Sequence, residues 1–271
     1  MSTSPFPLAA PPGPIPGITT VPAATVVIFR HAPAGGPPEM LMLQRAKAMR
    51  FAGGAAVFPG GKIDAADREL ALALSGADVP DPHALEEEAA RIAAIRETLE
   101  ETGLVIGLDH PVSGAEAASA RALLLADGAL SPVVEQLGWR LAPERLVSFS
   151  RWCPDWDGAF DTRFYLADLG TGAVEIAVDA TENTRLFWIS AANALRAADA
   201  GEISALYPTR RNLERLAQFS SFAETRQHAE AIPPHIITPQ KIEREGEMWL
   251  TIPEGLGYPV LGQPLDTVRR G

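Results

Sequence analysis

Residues 83–102 carry two different chemistries on one helical repeat. At 100° per residue, Leu85, Ile92, Ile95 and Leu99 fall on one face, the pattern of a helix that must bury that side. Glu97, Glu100 and Glu101 stand at i, i+3 and i+4, so they project together from a face roughly opposite. Gly103 follows the last turn and is a natural helix stop. Such a helix needs a packed layer on one side and offers three carboxylates on the other. Close carboxylates repel one another; a divalent cation relieves that repulsion, and Mg²⁺ prefers hard oxygen ligands shared with water and phosphate. These residues alone leave two readings open, a solvated acidic face and a metal-holding one.

The packed layer is supplied by strands. Residues 23–29 form a β-branched run that reads as a buried strand, 33–38 a turn, and 40–45 a second strand that makes a hairpin with the first. Residues 55–58 read as a short third strand, ended by Pro59-Gly60-Gly61. The alanine-rich stretch 115–139 is expected to be helical in part, and 146–149, 162–166, 174–178 and 185–189 to be further strands. Ser190 can cap a helix to about Ala200, and Pro208 sits where a helix to about Phe219 would begin. Segments 236–238 and 248–252 flank the turn-like Glu245-Gly246 and read as a C-terminal hairpin. Strands interleaved with helices imply a mixed sheet covered on both faces. Residues 1–20 hold Pro5, Pro7, Pro11, Pro12, Pro14 and Pro16 and are expected to be a disordered arm.

The formal net charge of −11 argues against nucleic acid or an anionic membrane as partner, while a metal or a local basic pocket still permits a phosphorylated small molecule. The single cysteine, Cys153, allows no disulfide framework within the chain and reads as a buried small hydrophobe. With no membrane-length apolar run, no signal peptide and no peroxisomal address in Val268-Arg269-Arg270-Gly271, a cytoplasmic location is expected. A homodimer is compatible with the chain.

The run Arg96-Glu97-Thr98-Leu99-Glu100-Glu101-Thr102-Gly103-Leu104, with Glu88 seven residues before it, resembles the second half of the Nudix signature, which reads Gly, five residues, Glu, seven residues, Arg-Glu-apolar-any-Glu-Glu-any-Gly-apolar. Phe58-Pro59-Gly60-Gly61-Lys62 supplies its opening glycine, Gly61. Thr98 replaces an apolar residue, and 26 residues rather than five separate Gly61 from Glu88, so 21 are inserted. Gly76, Pro80 and Pro82 suit a loop-rich excursion there. The resemblance implies a Nudix-type α/β/α sandwich around a mixed β-sheet, with a helical insertion at about 62–87 and C-terminal helices. The hydrolase domain would span 21–231, with 232–271 an extension of hairpin and tail.

The resemblance also implies a site. Glu97, Glu100 and Glu101 with the Gly60 carbonyl would bind Mg²⁺ or Mn²⁺, Glu97 serving as ligand or base, and Arg96 would orient the carboxylates. Glu88, on the apolar side of the wheel, is given a structural role. A further carboxylate from outside the signature is expected from Asp179 or Glu182, with Glu182 preferred; two plain turn carboxylates remain the alternative. The upstream Arg45-Ala46, Arg50, Gly54 and Phe58-Pro59-Gly60-Gly61 resemble the motif preceding the signature in coenzyme A diphosphatases, with Leu43 in place of its threonine. The long insertion is similar to that of the peroxisomal coenzyme A diphosphatase branch and its bacterial relatives. So are Phe160-Asp161-Thr162-Arg163-Phe164-Tyr165, Tyr207-Pro208-Thr209-Arg210-Arg211-Asn212-Leu213 and Leu256-Gly257-Tyr258-Pro259-Val260.

The implied substrate is a small-molecule diphosphate, coenzyme A or acyl-coenzyme A first, contacted by Arg45, Arg50, Gly61 and Lys62. Guanidinium suits phosphate, although either arginine could equally fix the turn between strand and loop. Trp152, Trp156, Phe160 and Trp188 could stack an adenine or belong to the core. Two alternatives stand: a pyrophosphatase for ADP-ribose, a dinucleotide or a nucleotide sugar, and a non-catalytic Nudix-fold binding or sensor module.

Overall fold

The run of small and β-branched residues beginning at Val21 forms the centre of the molecule, in a computed structural model that describes residues 17–46, 53–76, 81–169 and 183–268. In chain order the elements are β1 (Val21–Arg30), β2 (Glu39–Arg45), β3 (Ala56–Val57), β4 (Gly60–Lys62), α1 (Ala65–Ser75), α2 (Pro82–Thr102), α3 (Gly114–Asp127) and α4 (Leu130–Leu137). Then come β5 (Val147–Trp152), β6 (Phe160–Asp168), β7 (Asn183–Ile189), α5 (Ala191–Asp199), α6 (Tyr207–Leu216) and α7 (Phe222–Ala231). The last are β8 (Ile236–Ile237), β9 (Gln240–Arg244), β10 (Glu247–Thr251) and β11 (Gly262–Pro264).

β1 runs parallel to β6 from Val21↔Phe160 to Phe29↔Asp168, and β5 lies antiparallel on the far side of β6. On its other edge β1 changes partner. Phe29 and Arg30 pair with Met40 and Glu39 of β2, whereas Ala23, Ala24 and Thr25 pair with Lys62, Gly61 and Gly60 of β4. β2 in turn pairs Leu43 and Gln44 with Val57 and Ala56 of β3. The two long strands therefore splay apart beyond their hairpin. The chain from β3 to β4 crosses the gap, and Val26 N–H reaches the Pro59 carbonyl at 2.9 Å.

Alternation along β1 divides the core, as a pleated strand must. Ala24, Val26 and Ile28 face one layer, with α2 and residues of α1, α3 and α4. Val27 and Phe29 face the other, with residues of α5, α6 and α7. The result is the expected α/β/α sandwich around a mixed sheet. α2 starts where Asp81 accepts the Ala84 N–H at 3.1 Å, with Pro82 at its first turn. It ends at Gly103, φ 74°, whose N–H bonds the Leu99 carbonyl.

The third strand ends before Pro59, as expected, but Gly60–Lys62 then forms a further strand, β4, because the pairing uses backbone groups only and asks nothing of the side chains. One sequence expectation needs correction. The C-terminal hairpin turns at Glu245-Gly246, but its first arm is β9 rather than 236–238. Ile236 and Ile237 instead pair in parallel with Arg151 and Trp152 of the main sheet, since their apolar side chains find cover there and polar Gln240–Arg244 tolerates an exposed edge. α7 was not foreseen; Ser221 caps it by accepting the Glu224 N–H at 3.2 Å. The strand expected at 174–178 lies outside the described residues, as do residues 1–16 of the arm.

Candidate active site

The splayed region of the sheet is where α2 meets the strands. Gly60 has φ 154°, and a Cβ there would stand 2.7 Å from the Thr25 Cα and overlap the Ala24 carbonyl. Only glycine permits that backbone and that approach. At Gly61 a Cβ would overlap the Glu97 carboxylate. The helix carboxylate thus lies directly on the backbone of β4.

The carboxylate face of α2 turns Glu97 and Glu101 inward and leaves Glu100 partly exposed. Ile95, from the apolar stripe, lies with Leu146 over Gly107, while Glu97 and Glu101 turn to the sheet edge. Glu101 is buried and accepts the Gly60 N–H through Oε2 at 3.0 Å. Glu97 is held through Oε1 by Arg96 Nη1 at 2.8 Å. Glu100, 39% exposed, keeps its Oε2 3.6 Å from the same nitrogen; its backbone carbonyl accepts from Arg121 Nε and Nη2 at 3.0 and 2.8 Å. Thr98, the departure from the signature, is buried and returns its hydroxyl proton to the Ala94 carbonyl at 2.7 Å, which satisfies its polar group within the helix.

Arg96 is the junction of the site. It is 4% exposed, and Nη2 donates to the Lys62 carbonyl at 2.9 Å. Nε and Nη2 also grip Asp67 Oδ1 and Oδ2 at 2.9 and 3.0 Å. Burial works against its charge, but the Asp67 and Glu97 carboxylates outweigh this and raise its pKa above the ordinary arginine value. For Glu97 burial dominates; with Arg96 opposing and the Glu100 charge adding, its carboxyl is pushed up to about 7.

Asp67, which the sequence reading overlooked, is 1% exposed and lies in α1. The signal was present: Asp64 and Asp67 at the head of a helical run form a capping pair, and the Asp64 N–H bonds Asp67 Oδ2 at 2.8 Å. Glu87 was overlooked as well. It accepts from Tyr165 Oη at 2.8 Å, Arg163 Nε at 3.1 Å and Ser148 Oγ at 3.3 Å, and so ties the first half of α2 to β5 and β6. Nothing in its sequence neighbourhood announces this.

The other expected residues fall as follows. Arg45 closes β2, its N–H bonded to the Ala55 carbonyl and its own carbonyl to the Gly54 N–H. Its Nε is buried with no hydrogen-bond partner among the described residues. Lys62 has an exposed side chain. Glu88 sits at the rim, 3.8 Å from Arg91 Nη1. Arg50, Asp179 and Glu182 lie outside the described residues. Trp152 is core, edge-on to Tyr207 and Tyr258, and Trp188 lies under Arg30 at 4.4 Å. Trp156 is 60% exposed. Burial pushes the Cys153 thiol up to about 11, which makes it a poor nucleophile.

The donors along this edge are three carboxylates and backbone carbonyls, the hard oxygen set that Mg²⁺ and Mn²⁺ take, and glycine at 61 leaves the Glu97 carboxylate the room it occupies. In this arrangement Glu97 is turned to Arg96 and Glu101 to the Gly60 N–H. Among the described residues no three His, Cys, Asp or Glu side chains are gathered at metal-binding spacing. Also among the described residues, no helix is long and apolar enough to cross a membrane.

No family model matches the chain. Among solved structures it is similar to a NUDIX hydrolase from Alicyclobacillus acidocaldarius, at 27% identity and a TM-score of 0.63, over 78% of this chain and 97% of that one. Weaker likenesses are to a MutT protein from Methanosarcina mazei, at 14% identity and 0.41 over 74% and 96% of the two chains, and to an Ap4A hydrolase from C. elegans, at 19% and 0.35 over 67% and 88%. Arg96, Glu97, Glu100, Glu101 and Gly103 on one helix, seated on Gly60 and Gly61 where a mixed sheet splays, together with the likeness to the Alicyclobacillus protein, give this chain a Nudix-type fold and make it similar to the Nudix hydrolases, enzymes that act on acid anhydrides.

Proposed function

We propose that the chain is a metal-dependent diphosphatase whose substrate is coenzyme A or an acyl-coenzyme A, with Mg²⁺ or Mn²⁺ held by Glu97, Glu100, Glu101 and the Gly60 carbonyl. The observation that supports the catalytic part is the seating of Glu97 and Glu101 on the backbone of β4. That seating fixes two acidic side chains beside a strand whose carbonyls are oxygen donors. When bound, the ion would neutralise diphosphate charge and help ionise the attacking water. Arg96 orients Glu97, and Glu97 is placed to hold or take a proton from water. Water oxygen then bonds one phosphorus, the bridging P–O bond breaks, and the leaving phosphate oxygen takes up the balance of charge. Glu182 is proposed as the additional carboxylate acting on water, ahead of Asp179; Glu182→Gln should lower kcat more than it raises KM.

For the substrate, the support is Arg45. Coenzyme A carries a 3′-phosphate beyond its diphosphate, and Arg45, at the end of β2, offers a buried Nε with no protein acceptor among the described residues. Arg50, Lys62 and the Gly61 backbone are proposed as further contacts. The test is a panel of coenzyme A, dephospho-coenzyme A, ADP-ribose, a dinucleoside polyphosphate and a nucleotide sugar with Mn²⁺ or Mg²⁺, products read by mass spectrometry. Phosphopantetheine with adenosine 3′,5′-diphosphate is the expected pair. Preference for ADP-ribose or a dinucleotide would overturn the substrate, and no turnover of any member would favour a binding module.

A further inference from the structure

We propose that the layer of α6 and α7 holds a buried binding site for one small monovalent anion, of the size of chloride, made by Arg215 and Asn212. Its neighbours Phe149 and Tyr258 belong to the core layer across the sheet from α2, so the site stands apart from the carboxylate helix and does not depend on the metal reading.

The starting point is an imbalance of charge. Arg211 and Arg215 are one turn apart on α6, and both are buried. Guanidinium stays charged in proteins, and a buried charge is costly unless it is paired. Arg211 is paired: its Nη2 donates to Glu214 Oε1 and to Gln263 Oε1, each at 2.8 Å. Arg215 is 2% exposed and has no carboxylate of this kind. Its Nη1 donates to the Phe149 carbonyl at 2.8 Å, and its guanidinium carbon lies 4.1 Å from the centre of the Phe149 ring. Its Nε and Nη2 are buried and meet no acceptor among the described residues. Burial lowers its pKa, and the group that opposes this is the Tyr258 hydroxyl, itself kept neutral by burial.

Asn212 stands at i−3 from Arg215, on the same side of the helix. Its Oδ1 accepts from Tyr258 Oη at 2.7 Å and from Ser150 Oγ at 3.2 Å. Tyr258 itself accepts the Trp152 indole N–H at 3.2 Å, so its own proton goes to Asn212. With two hydroxyl protons on the amide oxygen, Asn212 Nδ2 is turned away from both, and it is buried with no acceptor among the described residues. His228 lies close by: its Nε2 would overlap a Cβ on Gly257, next to Tyr258. The Arg215 charge adds to burial in lowering the His228 pKa.

Arg215 and Asn212 thus offer only N–H donors, around a charge that nothing balances. A water molecule would satisfy donors but leave the charge; an anion answers both. Burial sets the size. Arg215 is 2% exposed and Asn212 and Phe149 are 0% exposed, so a phosphate or carboxylate on a larger molecule would leave its remainder in the core. A monatomic anion has no remainder.

The experiment uses the full chain, with chloride and bromide as probes. Chloride replaces gluconate at constant ionic strength, and thermal melting is followed. Tm should rise by about 3 °C or more and then level off, as a saturable ligand gives for a chain of this size. Arg215→Met should respond by less than about 1 °C. If that variant does not fold, Asn212→Asp keeps the test open: it supplies a counter-charge in place of the ion, and its Tm should be the same with or without chloride. Crystals grown in bromide should show an anomalous peak between Arg215 and Asn212. A chloride-insensitive unmutated chain overturns the proposal. So does a full chloride response in Arg215→Met or Asn212→Asp, or a bromide crystal with water and no anomalous peak beside Arg215.

Discussion

Gly60 donates its backbone N–H to Glu101 Oε2 at 3.0 Å, and the carbonyl of the same peptide, that of Pro59, accepts the Val26 N–H at 2.9 Å. One peptide unit is thus pinned from the helix on one side and from the central strand on the other.

Glu101→Gln retains an oxygen that can accept the Gly60 N–H but loses the charge. Turnover should fall by about a hundredfold or more, as loss of charge stabilisation at a metal typically does, with little change in Tm. Glu101→Ala should add about 1–3 kcal/mol of destabilisation, because the part-buried Gly60 donor then loses its Glu101 acceptor. Glu100→Gln, at a more exposed position, should reproduce the kinetic loss with no loss of stability. Calorimetry beside steady-state rates separates the effects, and near-normal turnover in Glu100→Gln or Glu101→Gln contradicts the assigned site.

The two glycines should respond differently. Gly61→Ala puts a methyl group into the Glu97 carboxylate, an end of a side chain that can move. The fold should survive while turnover drops at least about tenfold, on the scale that small misplacements in a site produce. Gly60→Ala meets the backbone of Ala24 and Thr25 at a positive φ, where nothing can move cheaply, so its main effect should be a lower melting temperature. The reverse order, Gly61→Ala unstable and Gly60→Ala stable, would mean the contact at Glu97 is not as described.

Arg45→Ala discriminates between substrates. Coenzyme A and dephospho-coenzyme A share the diphosphate and differ in one phosphate, so the common chemistry cancels in their ratio. A charge-assisted phosphate contact is worth roughly 1.5–3 kcal/mol, which corresponds to about a tenfold to hundredfold selective loss of kcat/KM for coenzyme A. Equal losses on both would assign Arg45 to the turn or to the diphosphate.

In the core layer of α5, α6 and α7, Tyr258 anchors the C-terminal segment. Its hydroxyl donates to Asn212 Oδ1 at 2.7 Å and accepts from Trp152 Nε1 at 3.2 Å, all buried. Tyr258→Phe should cost about 1–3 kcal/mol, chiefly by stranding the buried Trp152 Nε1–H, since Asn212 Oδ1 keeps the Ser150 hydroxyl at 3.2 Å; the loss is read from chemical denaturation, and kcat should stay within about twofold. A large kinetic loss at unchanged stability would place the tail in the reaction instead.

The parts of this architecture visible in the sequence are those written in side-chain periodicity. β1, β2 and α2 declare themselves by apolar pattern, and Glu97, Glu100 and Glu101 by their helical spacing. What was hidden is written in backbone or in long-range pairing. Gly60-Gly61-Lys62 has no strand-forming side chain, yet pairs with Ala23, Ala24 and Thr25 through main-chain groups alone. Asp67 looked like part of an insertion because its partner Arg96 is 29 residues away and only folding brings them together. α7 lacks a strong apolar stripe, with Thr225 and Ala229 its buried residues, so its helical state follows from its cap and its packing more than from periodicity.

Ala90 and Ala94 continue the stripe of α2 that bears Glu97 and Glu101, and both are fully buried. A methyl group has no torsion to readjust and loses no rotamer freedom on burial. The clearance between helix and sheet is therefore fixed as a machine bearing is, by hard surfaces with no play. A larger residue at either place would act as a shim, lifting the far end of the helix and carrying Glu97 and Glu101 off Gly61 and Gly60 without touching either carboxylate.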